Sequence, residues 1–325
     1  IRLAAAGQPA LSSGDLVEVT DGATFRRASV TAVAGDVVDL DAPAPTGAGL
    51  QVALVSDDDD KVVRTIGEKL VEIGEPAVPY LQEIEIEHPD MARRIERILD
   101  DIRGSRLDME LRTLAIRPDE EVDLEQGVFL IARYAYPALD VSRYVRQLDE
   151  MAAELRDRMG TRVSGEETVK MVGRFLFAEQ GYRGNTKDYY EPDNSYVNRV
   201  MDRKTGIPIS LSVLYLLLGR RLNLPVFGIG MPGHFLVKYE SDKYKAFVDC
   251  LNAGALLTQK DCVRFLTQAG YGFEDKFLDR SSSRAILVRT LKNLVAIYQK
   301  MDECVKEQRM TRFIEILAGA PPQMC

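Results

Sequence analysis

Two side chains of this sequence have the types and spacing of a base and its partner. His234 follows Pro232-Gly233 and opens an apolar stretch, Asp249 closes the next one, and the polar run Glu240-Ser-Asp-Lys243 separates them. That run reads as a hairpin turn. A turn centred between Ser241 and Asp242 sets His234 directly opposite Asp249, with Cβ atoms about 4.5–5.5 Å apart. A three- or five-residue loop breaks the pairing, because a one-residue slip moves every side chain to the other face. A carboxylate behind an imidazole fixes its tautomer and stabilises the imidazolium. The pair is therefore the base-and-orienter half of a nucleophilic triad. Its nucleophile belongs at a helix N-terminus, where unpaired N–H groups favour negative charge.

The segment just upstream supplies such a helix. Gly206-Ile-Pro208 breaks the chain, and the apolar run from Ile209 to Leu218 reads as a buried helix. Residues 226–230, 234–239 and 244–249 read as strands. Pro208 suits a first helical turn but has no reactive group. Ser210 and Ser212 follow it. Two residues along a helix turn about 200°, so Ser210 points away from the side chain at 208, and Ser212 is nearer in azimuth but about one turn deeper. Cys250 adjoins Asp249 on the same strand and so faces the other way. With Cys262, Cys304 and Cys325 outside the motif, all four read as buried or incidental thiols.

The order of helix, strand with Gly-His and strand with Asp resembles the transglutaminase-like superfamily. The wording Arg203-x-Thr-Gly-Ile-Pro-Ile-Ser-Leu-Ser-x-x-Tyr215, Pro232-Gly-His-Phe235 and Phe247-Val-Asp249 is similar to its bacterial SirB-type branch, a region related to one in an F-box protein. Leu124-Glu-Gln-Gly-x-x-Leu130-Ile-Ala-Arg, Leu148-Asp-Glu-Met-Ala152 and Asn194-Ser-Tyr196-x-Asn198 match the same branch, so the likeness covers roughly residues 105–300. It implies an α+β fold: a papain-like cysteine-protease core with a helical bundle packed on an antiparallel sheet. It also carries over His234 and Asp249 as catalytic positions. The family's nucleophilic Cys stands two residues after the helix-opening Gly, which here is Pro208 after Gly206.

Composition bounds the rest. With 46% hydrophobic and 28% charged residues the chain is globular, and a net charge of −8 argues against a broad phosphate-binding face or nucleic-acid partner. The cysteines show no metal spacing and no disulfide-scaffold density, which suits a reducing, cytoplasmic compartment. No apolar run approaches the roughly 20 residues of a spanning helix. Because the chain begins at Ile1 rather than Met, an organelle or the periplasm is the alternative location if a targeting segment has been removed.

Four regions are expected. Residues 1–56 read as a small β-barrel, with strands at 15–19, 27–30, 37–40 and 50–55, turns at Gly22 and Gly35-Asp36, a Pro- and Gly-rich loop at 43–49, and only Phe25 as a stacking aromatic. Residues 57–104 read as a HEAT-like helical spacer. It starts with the acidic run Asp57–Asp60 and carries apolar faces Val62/Ile66/Leu70, Val78/Leu81/Ile84 and Met91/Ile95/Ile98/Leu99/Ile102. Residues 105–280 form the core, with stripes Leu124/Val128/Ile131 and Val141/Val145/Leu148/Ala152/Leu155, a polar and aromatic loop at 181–198, and a helix at 255–269. Residues 281–325 give a helical pair, 285–298 and 305–317, before Pro321-Pro322; by the resemblance this pair is tetratricopeptide-like.

Three functions follow. The favoured one is a pseudoenzyme: a non-catalytic binding or regulatory module for a protein partner or peptide, drawing on Asn194, Tyr196, Arg203, Gly206, Pro208 and Gly233 around His234 and Asp249. The alternative is a hydrolase or acyltransferase acting on amide or ester bonds through Ser210 or Ser212 with His234 and Asp249. A third places a metal or small anion at His234, Asp249 and the cations Arg199, Arg203 and Lys204. With His88 the only other histidine, zinc is disfavoured, and no metal or cofactor is expected.

Overall fold

The computed structural model describes strands within residues 1–52 and then residues 60–87, 89–160 and 164–319. The expected turns at Gly22 and Gly35-Asp36, the loop at 43–49, Asp57–Asp59, His88, Pro321-Pro322 and Cys325 lie outside the described residues, as do the side chains of Phe25, Val62, Ile66 and Ile84. The chain forms two units, Ile1–Leu107 and Asp108–Cys325.

The first unit begins with β1 (Leu3–Ala4), β2 (Leu16–Thr20), β3 (Phe25–Ala34), β4 (Val37–Leu40) and β5 (Gln51–Val52). They form an antiparallel sheet in the order β1-β4-β3-β2-β5, with an irregularity in β3 between Val30 and Ala32. Closing a barrel requires the two edge strands to pair. Among the described residues β1 and β5 do not pair. Helices α1 (Asp60–Ile73) and α2 (Val78–Glu87) follow, and α3 runs as one helix from Ala92 to Ala115. Leu70, Leu81, Met91, Ile95, Ile98, Leu99 and Ile102 bury together, as their spacing predicts.

The second unit holds the motif residues. Its helices are α4 (Leu124–Ala135), α5 (Val141–Met159), α6 (Gly165–Gly173, continued by a π-helical turn to Glu179), α7 (Val197–Arg203), α8 (Pro208–Arg221), α9 (Gln259–Gln268), α10 (Ser283–Lys300) and α11 (Cys304–Leu317). Side chains that suit N-cap positions start several of them: Asp123 for α4, Ser164 with Glu167 for α6, Thr258 with Asp261 for α9, and Ser282 for α10. The sheet is antiparallel and runs β11-β10-β9-β8-β12, with β8 Val226–Ile229, β9 Leu236–Glu240, β10 Lys245–Asp249, β11 Ala255–Leu257 and β12 Arg280–Ser281. A short parallel pair, β6 (Arg183–Gly184) with β7 (Thr205–Gly206), leads into α8. Every residue of α8 from Pro208 to Gly219 is buried, so the apolar run forms a central helix, packed on β8 and β9.

Two local expectations are corrected. Residues 255–257, read as the start of a helix, are the edge strand β11, and the helix starts after the Thr258 cap. The β9–β10 hairpin pairs Val248 with Val237 and Lys245 with Glu240. Its turn is therefore centred one residue further on than expected, between Asp242 and Lys243, because Ser241 and Tyr244 close the loop through Ser241 N–H donating to the Tyr244 carbonyl.

Candidate functional site

The corrected register sets Asp249, by extension, opposite Leu236 rather than His234. The His–Asp pair forms nonetheless. The slip relative to the expected register is two residues, which keeps both side chains on one face, and diagonal neighbours remain within side-chain reach. His234 Nε2 lies 3.0 Å from Asp249 Oδ2, with both side chains buried, 8% and 7% exposed.

Each partner is held by its own local structure. Met231-Pro232-Gly233-His234 is a tight turn closed by His234 N–H donating to the Met231 carbonyl at 3.2 Å. Gly233 takes φ +72°, the left-handed value that the third residue of a Pro-Gly type II turn requires. Arg289, on α10, clamps both ends of this turn: its Nη2 donates to the carbonyls of Met231 (2.8 Å) and His234 (2.7 Å). Asp249 ends β10 and starts a turn in which Oδ1 accepts from the backbone N–H groups of Leu251 (3.1 Å) and Asn252 (3.2 Å), while Asn252 Nδ2 donates to Oδ2 (2.8 Å). Burial works to raise the Asp249 pKa, but the His234 bond and charge and the Asn252 bonds outweigh it and hold the carboxyl below its ordinary value. Nε2–H donates to Asp249, and among the described residues Nδ1 has no hydrogen-bond partner. The ring of Phe265 lies 5.4 Å from the imidazole, centroid to centroid.

Neither serine hydroxyl bonds the imidazole. Ser210 Oγ accepts from Ile207 N–H (3.0 Å) and donates to the Asn194 carbonyl (2.6 Å), so it caps the first turn of α8 and ties it to the preceding loop. Gly206 allows this close approach: a Cβ there would stand 2.7 Å from Ser210 Oγ. Ser212 is fully buried without a well-formed hydrogen bond, beside Cys250. Burial pushes the Cys250 thiol up to about 12, with Ser212 pulling it back slightly and the Asp249 charge adding to the rise. Cys262 is likewise buried and pushed up to about 11, and Cys304 is exposed.

The remaining expected site residues divide between core and loop. Asn194 is buried and latches its own loop: Nδ2 donates to the Asp188 carbonyl (2.7 Å), and Oδ1 accepts from Asn185 (3.1 Å). Tyr196 is buried with its hydroxyl 2.7 Å from that of Tyr298. Pro208 is the first residue of α8 and is buried. Arg199 and Arg203 both pair with Asp193, at 2.9 and 3.2 Å, and Lys204 lies on the Tyr182 ring. The cations expected to meet an anion beside His234 are thus spent on Asp193 and Tyr182. Among the described residues no group of three or more His, Cys, Asp or Glu side chains is disposed to hold a metal, and no helix is long and apolar enough to cross a membrane.

Sequence reasoning missed Asn252 and Arg289. Asn252 has a local signal, since Asp followed by Asn at the end of a strand is an Asx-turn pattern. Arg289 has none, because only the fold brings α10 against the Pro-Gly turn.

Comparison with known proteins agrees with this architecture. A model of the transglutaminase-like superfamily matches residues 142–292, a stretch that contains α8, the His234–Asp249 pair and Arg289. A UPF0162 protein of Xylella fastidiosa is 33% identical over 216 residues, 64% of this chain and 76% of that protein. A UPF0162 protein of Pseudomonas aeruginosa is 26% identical over 183 residues, 55% of this chain and 66% of that one. F-box only protein 21 of Mus musculus is 26% identical over 203 residues, 53% of this chain but 32% of that much longer protein. No solved structure gives a significant match. The chain therefore belongs to the UPF0162 family and carries a transglutaminase-like domain.

Proposed function

We propose that this domain is a non-catalytic binding module, in which the base-and-orienter pair of a transglutaminase-like site persists as part of a receptor for a protein partner or peptide. The observation that carries the reading is the start of α8. Pro208 occupies the position that the superfamily resemblance assigns to the nucleophilic Cys, and it is buried at the first helical turn. The neighbouring hydroxyls offer no replacement: Ser210 is a cap, and Ser212 is sealed in the core. The Ser-based hydrolase needs a nucleophile about 2.6–3.2 Å from the imidazole, and the hydrogen bonds of Ser210 and the burial of Ser212 weigh against it. On this reading His234 Nδ1 and the exposed Gly233 beside it contact the ligand, Asn194, Tyr196, Gly206 and Pro208 set the shape behind them, and Arg203 stays paired with Asp193.

The test is covalent labelling of the native chain with broad serine- and thiol-directed probes, read by peptide mass spectrometry in wild type and His234→Ala. The reading expects no label on Ser210, Ser212 or Cys250. Label on any of them that disappears in His234→Ala identifies a working nucleophile and sinks it.

A further inference from the structure

Arg289 is a half-buried cation. Its Nη2 is spent on two carbonyls, and Nη1 sits by Gly230, where a Cβ would stand 3.2 Å away. Among the described residues no carboxylate pairs with it. Burial lowers its pKa, opposed by the phenol of Tyr189. A partly desolvated guanidinium is costly unless an acceptor completes its donor set, and here two turn carbonyls and the Phe235 ring, 5.5 Å from its carbon, meet it without an opposite charge.

The surroundings of Arg289 are unusual in two ways. Four large aromatic side chains stay exposed around it: Tyr189 (39%), Tyr190 (47%), Phe265 (36%) and Tyr271 (44%). Phe265 faces His234, Tyr271 lies against Gly233, and Tyr189 contacts Tyr190 edge-on with ring centroids 5.4 Å apart. The second feature is charge. Lys300 Nζ sits 3.1 Å from the Tyr190 ring centroid, and among the described residues it has no carboxylate partner. Residues 289 and 300 are eleven apart on α10, so they share a helix face about 16 Å apart. Asn293 and Ala296, between them on that face, carry no charge. In a chain of net charge −8, this face joins two cations that have no carboxylate partner among the described residues to an aromatic rim beside the unpartnered Nδ1 of His234.

We propose that this face is the receptor surface and that its occupant is an extended acidic peptide segment of a protein partner, with one side-chain carboxylate on Arg289, a second toward Lys300 and an apolar side chain against the aromatic rim. The proposal rests on the binding-module reading. Two acidic residues four apart in an extended segment lie on one face about 13 Å apart, and the length of the lysine and glutamate side chains spans the remainder.

The probe is a terminally blocked pentapeptide with glutamate at both ends and phenylalanine at its centre, titrated into the full chain against its glutamine counterpart. Histidine occurs only at positions 88 and 234, so imidazole NMR signals report the site directly. The glutamate peptide is expected to shift the His234 signal, leave His88 in place, and bind about tenfold more tightly than the glutamine peptide. Arg289→Gln should erase that preference, and Lys300→Gln should cut it about threefold. Because Arg289 also clamps the Pro-Gly turn, Lys300→Gln keeps the test decisive if Arg289→Gln does not fold. Equal affinity for the two peptides, an unchanged preference in the folded variants, or no shift of His234 with either peptide overturns the proposal. Equal affinity removes only the acidic preference and leaves the binding module standing. Cleavage of the peptide removes the non-catalytic reading, while relative affinity still judges the acidic one.

Discussion

Replacing Asp249 by Asn should switch the tautomer of His234. The Asp249 carboxylate accepts at both oxygens: Oδ1 takes the Leu251 and Asn252 backbone N–H groups, and Oδ2 takes His234 Nε2–H and Asn252 Nδ2–H. The backbone donors cannot adapt, so an asparagine must leave its oxygen at the Oδ1 position and place its NH₂ where Oδ2 was. That NH₂ then faces two donors. The imidazole relieves its clash by moving its proton to Nδ1, and the Asn252 amide relieves the other by turning over. The net loss is that of charge-assisted bonds becoming neutral ones, about 1–3 kcal/mol. Asp249→Ala allows no such adjustment and strands all the donors, which should cost about 3–5 kcal/mol, the range for removing one partner of a buried pair. Two assays separate these outcomes: ¹⁵N correlation spectra of the imidazole, which distinguish Nε2–H from Nδ1–H, and urea unfolding followed by circular dichroism. An unchanged Nε2–H tautomer in Asp249→Asn, or an Asp249→Ala chain within about 1 kcal/mol of wild type, would refute this account of how the pair is held.

Other expectations can be checked on the same preparation. Gly206→Ala puts a Cβ 2.7 Å from Ser210 Oγ and 3.2 Å from Leu211 and Val200 side-chain atoms, so it should destabilise by about 1–3 kcal/mol in urea unfolding; a neutral effect contradicts the packing reason for glycine there. Glu240 accepts from Lys245, Arg280 and Lys238, which together hold its carboxyl at about 2, below the ordinary value of about 4.3. Its contribution to stability is therefore complete above the ordinary value and fades as pH falls towards about 2. A carboxyl carbon titration with a midpoint near 4.3 contradicts the three-cation clamp. The lowered pKa of Asp249 has the same sign: the pair's stabilisation is present at neutral pH and lost in acid as the carboxyl protonates, read as a loss of the His234–Asp249 imidazole signature. Thiol titration of the native chain with an aromatic disulfide should label Cys304 quickly and spare Cys250 and Cys262 until unfolding; fast reaction at Cys250 contradicts its burial.

The motif itself was legible because it is local or nearly so. An unbroken apolar run of that length forms a buried helix whatever surrounds it, and α8 is buried from Pro208 to Gly219. The His234–Asp249 pairing follows from a two-residue periodicity, which survived an error of register because that error was an even number of residues. What depends on where distant segments meet was not legible. The cations Arg199 and Arg203 look free in the sequence, yet the turn before α7 folds the nearby Asp193 onto both. Ser210 looks like a candidate nucleophile until the loop before α7 brings the Asn194 carbonyl to its hydroxyl. Arg289 sits in an ordinary amphipathic pattern, and only the packing of α10 turns it into the clamp on the His234 turn. Periodicity and turn chemistry act over a few residues, and so the sequence by itself determined the elements and the chemical pair they carry. Solvent exclusion and charge pairing act between elements far apart in the chain, and so only the tertiary structure decided which polar groups are spent on holding the fold and which remain to meet a ligand.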